Sequence, residues 1–117
     1  MNYPTTPILI EKVNYKDYKD TGIYLSRFVN DSVPVLFIGN EDLGEMYAVC
    51  NLNIEDFDYD DFEFTIKDYS ENEGMLEWLI KNDYIKEPHS SVPSGFVLVP
   101  ICYATDRLKE IMIKLCS

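Results

Sequence analysis

Apolar and polar residues alternate in short runs over most of the chain, the period of half-buried strands, and change to helical spacing in only two places. Pro7–Val13 reads as a first strand, with Pro7 tolerated at its start. Thr21–Val29 reads as a second, with Ile23, Leu25 and Arg27 facing one way and Tyr24, Ser26 and Phe28 the other. Val33–Ile38 is an unbroken apolar run of strand length, the mark of a third strand covered on both faces. Glu45–Leu52 is expected to form one fourth strand, with Met46, Ala48, Cys50 and Leu52 on one face and Tyr47 and Val49 on the other, and Glu63–Lys67 a fifth. Turn clusters at Asn30-Asp31-Ser32 and Gly39-Asn40-Glu41-Asp42 separate these runs. Lys86–Gly95, rich in proline and serine, is expected to be a loop. Phe96–Tyr103 is a sixth strand, in which Pro100 has no N–H to give a ladder and so calls for an edge or a bulge.

The two helical stretches are Glu71–Asn82 and Arg107–Leu115. In the first, Met75, Leu76, Leu79 and Ile80 recur at helical spacing, and Ser70 with Glu73 three residues on has the form of a capping box. Glu71, Glu73 and Glu77 crowd its beginning and Lys81 its end, as the helix dipole favours. Gly74 weakens it by about 1 kcal/mol relative to alanine. Thr105 or Asp106 caps the second, whose buried stripe is Leu108, Ile111, Met112 and Leu115. The expected architecture is α+β: a mostly antiparallel sheet of five or six strands with two helices packed on one face, in one domain spanning residues 1–117.

Charge changes this picture from a plain scaffold to one with a marked region. The net charge is −11, yet Glu41–Glu77 holds 13 acids and one base, Lys67, a net of −12. The other 80 residues are almost neutral, with 8 acids and 9 bases. At the centre lies Glu55-Asp56-Phe57-Asp58-Tyr59-Asp60-Asp61-Phe62-Glu63, six acids and three aromatics without a base. In extended chain Asp56, Asp58 and Asp60 would project from one side at intervals of about 6.8 Å, comparable with successive phosphates of a nucleic-acid strand. Phe57 and Tyr59 would then face the core, and Glu71, Glu73 and Glu77 would add a second acidic row. The same stretch equally fits an acidic hairpin whose aromatics are core and whose carboxylates are only solvated and repel aggregation.

Other chemistry is not encoded. Asp56-x-Asp58-x-Asp60 begins like a calcium loop, but Asp61 stands where glycine is needed and Lys67 where a bidentate glutamate belongs. The single histidine, His89, lies in the proline/serine loop and reads as an ordinary exposed residue. Cys50, Cys102 and Cys116 are widely spaced in apolar surroundings, as buried reduced thiols are. No phosphate-binding loop, nucleophile–base pair or zinc spacing is present. The expectation is a protein that is not an enzyme and takes no metal or cofactor. The acidic balance argues against nucleic acid as a direct ligand, and no apolar run is long enough to span a membrane. Met1–Thr6 lacks the basic start of a signal peptide.

Lys67-Asp68-Tyr69-Ser70-Glu71-Asn72-Glu73-Gly74-Met75-Leu76, followed by Val92-Pro93-Ser94-Gly95-Phe96-Val97, resembles a family of small acidic proteins without assigned activity. They are encoded on phages, plasmids and conjugative elements of gut bacteria, and the resemblance covers about residues 63–103. It implies a mobile-element context, the bacterial cytoplasm, and a counter-defence role of the kind played by antirestriction and anti-CRISPR proteins, several of which mimic DNA. It transfers no functional residue. The expected function is inhibition of a basic nucleic-acid-binding protein, best a Cas9-type effector, through Glu55, Asp56, Asp58, Tyr59, Asp60, Asp61, Glu63, Glu71, Glu73 and Glu77. An immunity protein neutralising a basic nuclease toxin, or a non-catalytic interaction module, fits the same charge pattern.

Overall fold

The computed structural model describes residues 2–28, 32–40 and 44–116. Asn30, Asp31, Glu41 and Asp42 of the expected turns, and Val29 of the second strand, lie outside them. The class is α+β, but the expected single sheet of five or six strands is two antiparallel sheets of four. The first has the order β1 (Ile8–Lys12), β2 (Thr21–Arg27), β3 (Pro34–Asn40), β4 (Met46–Val49). The second has the order β5 (Asn51–Leu52), β6 (Glu63–Ile66), β8 (Val97–Tyr103), β7 (Ser90–Ser94). Helices α1 (Met75–Lys81) and α2 (Asp106–Cys116) join both sheets in one core cluster.

In the first sheet, alternation decides the faces as expected. Ile23 pairs with Ile38 and Leu25 with Leu36 on the core side, while Tyr24 stacks on its partner Phe37 on the other. At the β3–β4 edge the register shifts. Ile38 pairs with Ala48 but Gly39 with Met46, so Tyr47 is an extra residue, and Met46, expected on one face with Ala48 and Cys50, is exposed where they are buried. Gly39 suits this bulge because a Cβ there would lie 2.7 Å from the Glu45 carbonyl oxygen.

The run Glu45–Leu52, expected to be one strand, is divided between the sheets at Cys50. The Cys50 N–H donates to the Leu36 oxygen at 2.8 Å, continuing the β3 side, while its carbonyl accepts from Lys67 N at 3.0 Å on the β6 side. Such a change of partner is how a strand turns a corner between packed sheets. Asn51, 1% exposed, staples the corner: its Oδ1 accepts from Leu36 N at 2.8 Å and its Nδ2 donates to the Pro34 oxygen at 2.9 Å. Buried Asn72 donates to the carbonyls of Val49 and Lys67. Both amides satisfy backbone groups that the divided strand leaves without a ladder partner.

That anchoring of Asn72 accompanies the largest departure in the helices. The expected helix over Glu71–Asn82 is a 3-10 turn at Ser70–Asn72 followed by a short α1 beginning at Met75. Ser70 has φ +54° and makes no side-chain cap, and Gly74, at φ +94°, separates the two pieces in a conformation that glycine adopts at little steric cost. The cap comes from farther away, with Leu76 N donating to Asp68 Oδ1 at 2.9 Å. In α2 the cap is Thr105, whose Oγ1 accepts from Leu108 N at 3.2 Å.

The expected loop over Lys86–Gly95 contains β7, the other departure. Gly95 (φ +62°) occupies the first central position of a two-residue turn with Phe96, the requirement of a type II′ hairpin. Pro93 is tolerated because β7 is an edge strand. Pro100 is not at an edge, since β8 lies between β6 and β7. Its missing N–H falls where β6 pairing stops, at Thr65–Ile101.

Candidate partner-binding surface

The acidic stretch is the connection between β5 and β6. It is not the regular extended row expected from the sequence: turns at Glu55–Asp56 and Asp61–Phe62 bracket residues 57–60, which pair with no strand. The inside–outside alternation nevertheless holds. Glu55, Asp56, Asp58, Asp60 and Asp61 are exposed, and Phe57, Tyr59 and Phe62 are half-buried. Glu55, Asp56, Asp58 and Asp61 make no ion pair among the described residues.

Tyr59 ties this connection down. Its hydroxyl accepts from Ile54 N at 2.9 Å and lies 3.2 Å from the Leu52 carbonyl and 2.8 Å from Thr65 Oγ1, and Thr65 Oγ1 itself donates to Leu52 O at 3.1 Å. Phe57 packs edge-on against Tyr59 with ring centroids 4.4 Å apart. Phe62 has φ +62°, unusual for a bulky residue, and is held by its carbonyl accepting from Ala104 N at 2.9 Å. The aromatics thus brace the loop, and the carboxylates between them stay in water.

Asp60 and Glu63 belong to a separate cluster. Glu63, 7% exposed, is the one acid of the stretch turned inward. Its Oε1 accepts from Asp60 N at 3.0 Å, and its Oε2 lies 3.0 Å from His89 Nε2. His89, expected to be an ordinary exposed residue, stacks on Tyr103 at 4.6 Å, and the Tyr103 hydroxyl donates to Asp60 Oδ2 at 2.7 Å. That bond, which favours the neutral phenol, pushes Tyr103 up to about 12 from the ordinary 10.0. A shallow pocket of about 190 Å³ opens here among Tyr3, Tyr59, Asp60, Asp61, Phe62 and Glu63, with burial pushing Tyr3 up to about 12.

The helix acids separate into two groups. Glu71 pairs with Lys67 at 2.5 Å, and that hydrogen bond holds its carboxyl below the usual range. Glu73 and Glu77 are exposed and line a groove beside α1 with Asp68 and Glu87. Sequence reasoning missed three contributors, His89, Tyr103 and Glu87, which lie outside the Glu41–Glu77 window and are brought to it by β8 and the chain leading into β7, so composition gives no signal for them. Asp68 was counted among the acids of that window, but its place as the cap of α1 was not read.

Among the described residues no cluster of three or more histidines, cysteines or acids is arranged to hold a metal ion. Cys50 and Cys102 are buried, and burial pushes both thiols up, Cys102 to about 12. Among the described residues no helix is long and apolar enough to cross a membrane. A scan against protein-family models returns no match, and neither curated proteins nor solved structures give one.

Proposed function

We propose that the protein is a counter-defence inhibitor of the anti-CRISPR kind, which sets an acidic surface against the basic nucleic-acid-binding groove of a Cas9-type nuclease. The observation that carries the reading is the braced β5–β6 connection: unpaired carboxylates at Glu55, Asp56, Asp58 and Asp61 on a loop whose aromatics are fixed from beneath. A loop whose backbone is already held loses less conformational entropy on docking. Its field speeds encounter with a basic channel and directs the approach. Effectors of this class hold nucleic acid in positively charged channels and read a short flanking motif with arginines, so an acidic ligand competes for the same surface. Asp60, Glu73 and Glu77 extend the negative field, whereas Glu63 and Tyr59 act from within by holding the loop's shape.

The test is competition between the chain and target DNA for a guide-loaded Cas9-type effector. Reversal of Glu55, Asp56, Asp58 and Asp61 to lysine is expected to weaken inhibition by about a hundredfold, or roughly 2.7 kcal/mol. The far-ultraviolet spectrum is expected to stay unchanged, because these side chains have no partners to lose. Undiminished inhibition by that variant would contradict the proposal.

A further inference from the structure

We propose that the groove beside α1 is a second docking site, and that its occupant is a basic segment of the partner with an aliphatic side chain between arginines or lysines. This deepens the reading of a basic partner and rests on it. The groove has a volume of about 640 Å³, within the range of ligand sites, and shares no residue with the β5–β6 connection. Its apolar part is Leu76 and Ile80, half-buried and one turn apart on one face of α1. Around them stand Glu73, Glu77 and Glu87, all exposed and without an ion pair among the described residues. Asp68 lines the same groove, fixed by the Leu76 N–H that it caps. Lys81 is the single base against four carboxylates.

This pairing of surfaces selects the occupant. An aliphatic side chain seated on Leu76 and Ile80 removes apolar area from water, which a purely cationic segment cannot do. A purely apolar segment would dehydrate the carboxylates of Glu73, Glu77 and Glu87 without compensation. Flanking guanidinium groups meet those carboxylates in bidentate geometry, and an acidic segment is repelled. The complementary ligand is therefore both basic and apolar, as the surface segments of nucleic-acid-binding proteins can be.

The probe is a short fluorescein-labelled peptide of alternating arginine and leucine, titrated against the full chain with amide shifts followed in parallel. Shifts are expected at Leu76–Lys81 and Glu87, and E73K/E77K/E87K is expected to weaken binding by about tenfold or more. An all-arginine peptide of equal length is expected to bind more weakly, and reversal of Glu55, Asp56, Asp58 and Asp61 to change the arginine–leucine affinity by less than about threefold. Shifts confined to the β5–β6 connection, no effect of the groove reversal, or equal affinity for the all-arginine peptide would each overturn the proposal. The outcomes also separate it from the nuclease reading. A chain that takes the peptide in the groove yet never competes with DNA sinks the nuclease reading and leaves the groove. A chain that inhibits undiminished with its groove reversed does the opposite.

Discussion

The second sheet carries two connections of opposite chemistry. Between β5 and β6 the chain is almost all carboxylate and aromatic, its aromatics are half-buried, and the Tyr59 hydroxyl meets two main-chain groups and a threonine. Between β7 and β8 the chain has no acid or base from Pro88 to Thr105 except His89, and the turn is set by Gly95. There Phe96 stands 109% exposed at the tip and Leu98 70% exposed behind it. One connection is charged and braced by side chains; the other is an uncharged two-residue turn between paired strands. Exposure alone therefore does not distinguish the two connections. The β5–β6 connection carries unpaired charge on a backbone held from within, and that combination suits electrostatic recognition.

The sharpest way to break this contrast is to remove the brace. Tyr59→Phe leaves Ile54 N–H without its partner and is expected to cost roughly 1–3 kcal/mol in chemical denaturation, with faster amide exchange across residues 54–62. Stability unchanged by that substitution would mean that the loop is held by aromatic packing alone.

A smaller effect is expected in alkali. Tyr103 is raised from 10.0 to about 12 by its bond to Asp60, so its folded-state pKa lies above the unfolded one. The stability it contributes is fully present below pH 10 and is lost as pH rises toward 12. Tyr103→Phe should flatten that part of the pH–stability curve, read by thermal unfolding between pH 9 and 12. The smallest effect belongs to the other connection. Phe96→Ser is expected to change stability by no more than about 0.5 kcal/mol in the same denaturation assay, since a fully exposed tip loses no packing. A larger loss would show that the hairpin is supported by its apolar tip after all.

How much of this was legible in the sequence follows from the range of the interactions concerned. The faces of β2 and β3 and the stripe of α2 rest on local period, and Ile23, Leu25, Leu108 and Met112 are buried as their spacing requires. The inside–outside alternation of Asp56 to Tyr59 was legible for the same reason. The break at Cys50 was not, because it depends on Leu36 and Lys67 offering partners from two different strands. The capping box failed because Asn72 is held between Val49 and Lys67, which turns the chain before a helix can begin at Ser70. β7 was hidden by composition: serine and proline suggested a loop, although Gly95 before Phe96 had the form of a hairpin turn. Within the candidate site, the carboxylates could be read directly, whereas the roles of Tyr59, Glu63 and His89 arise from contacts across strands.

The proposed recognition is electrostatic and comes from the braced acidic connection. The most direct measurement is the affinity of the unaltered chain for a DNA-free, guide-loaded Cas9-type effector between about 0.05 and 0.3 M salt, where the screening length falls from roughly 14 to 6 Å. The predicted result is a loss of about tenfold or more in affinity across that range, abolished when Glu55, Asp56, Asp58 and Asp61 are reversed. An affinity that does not respond to salt, or no binding to the effector at any salt, would contradict it.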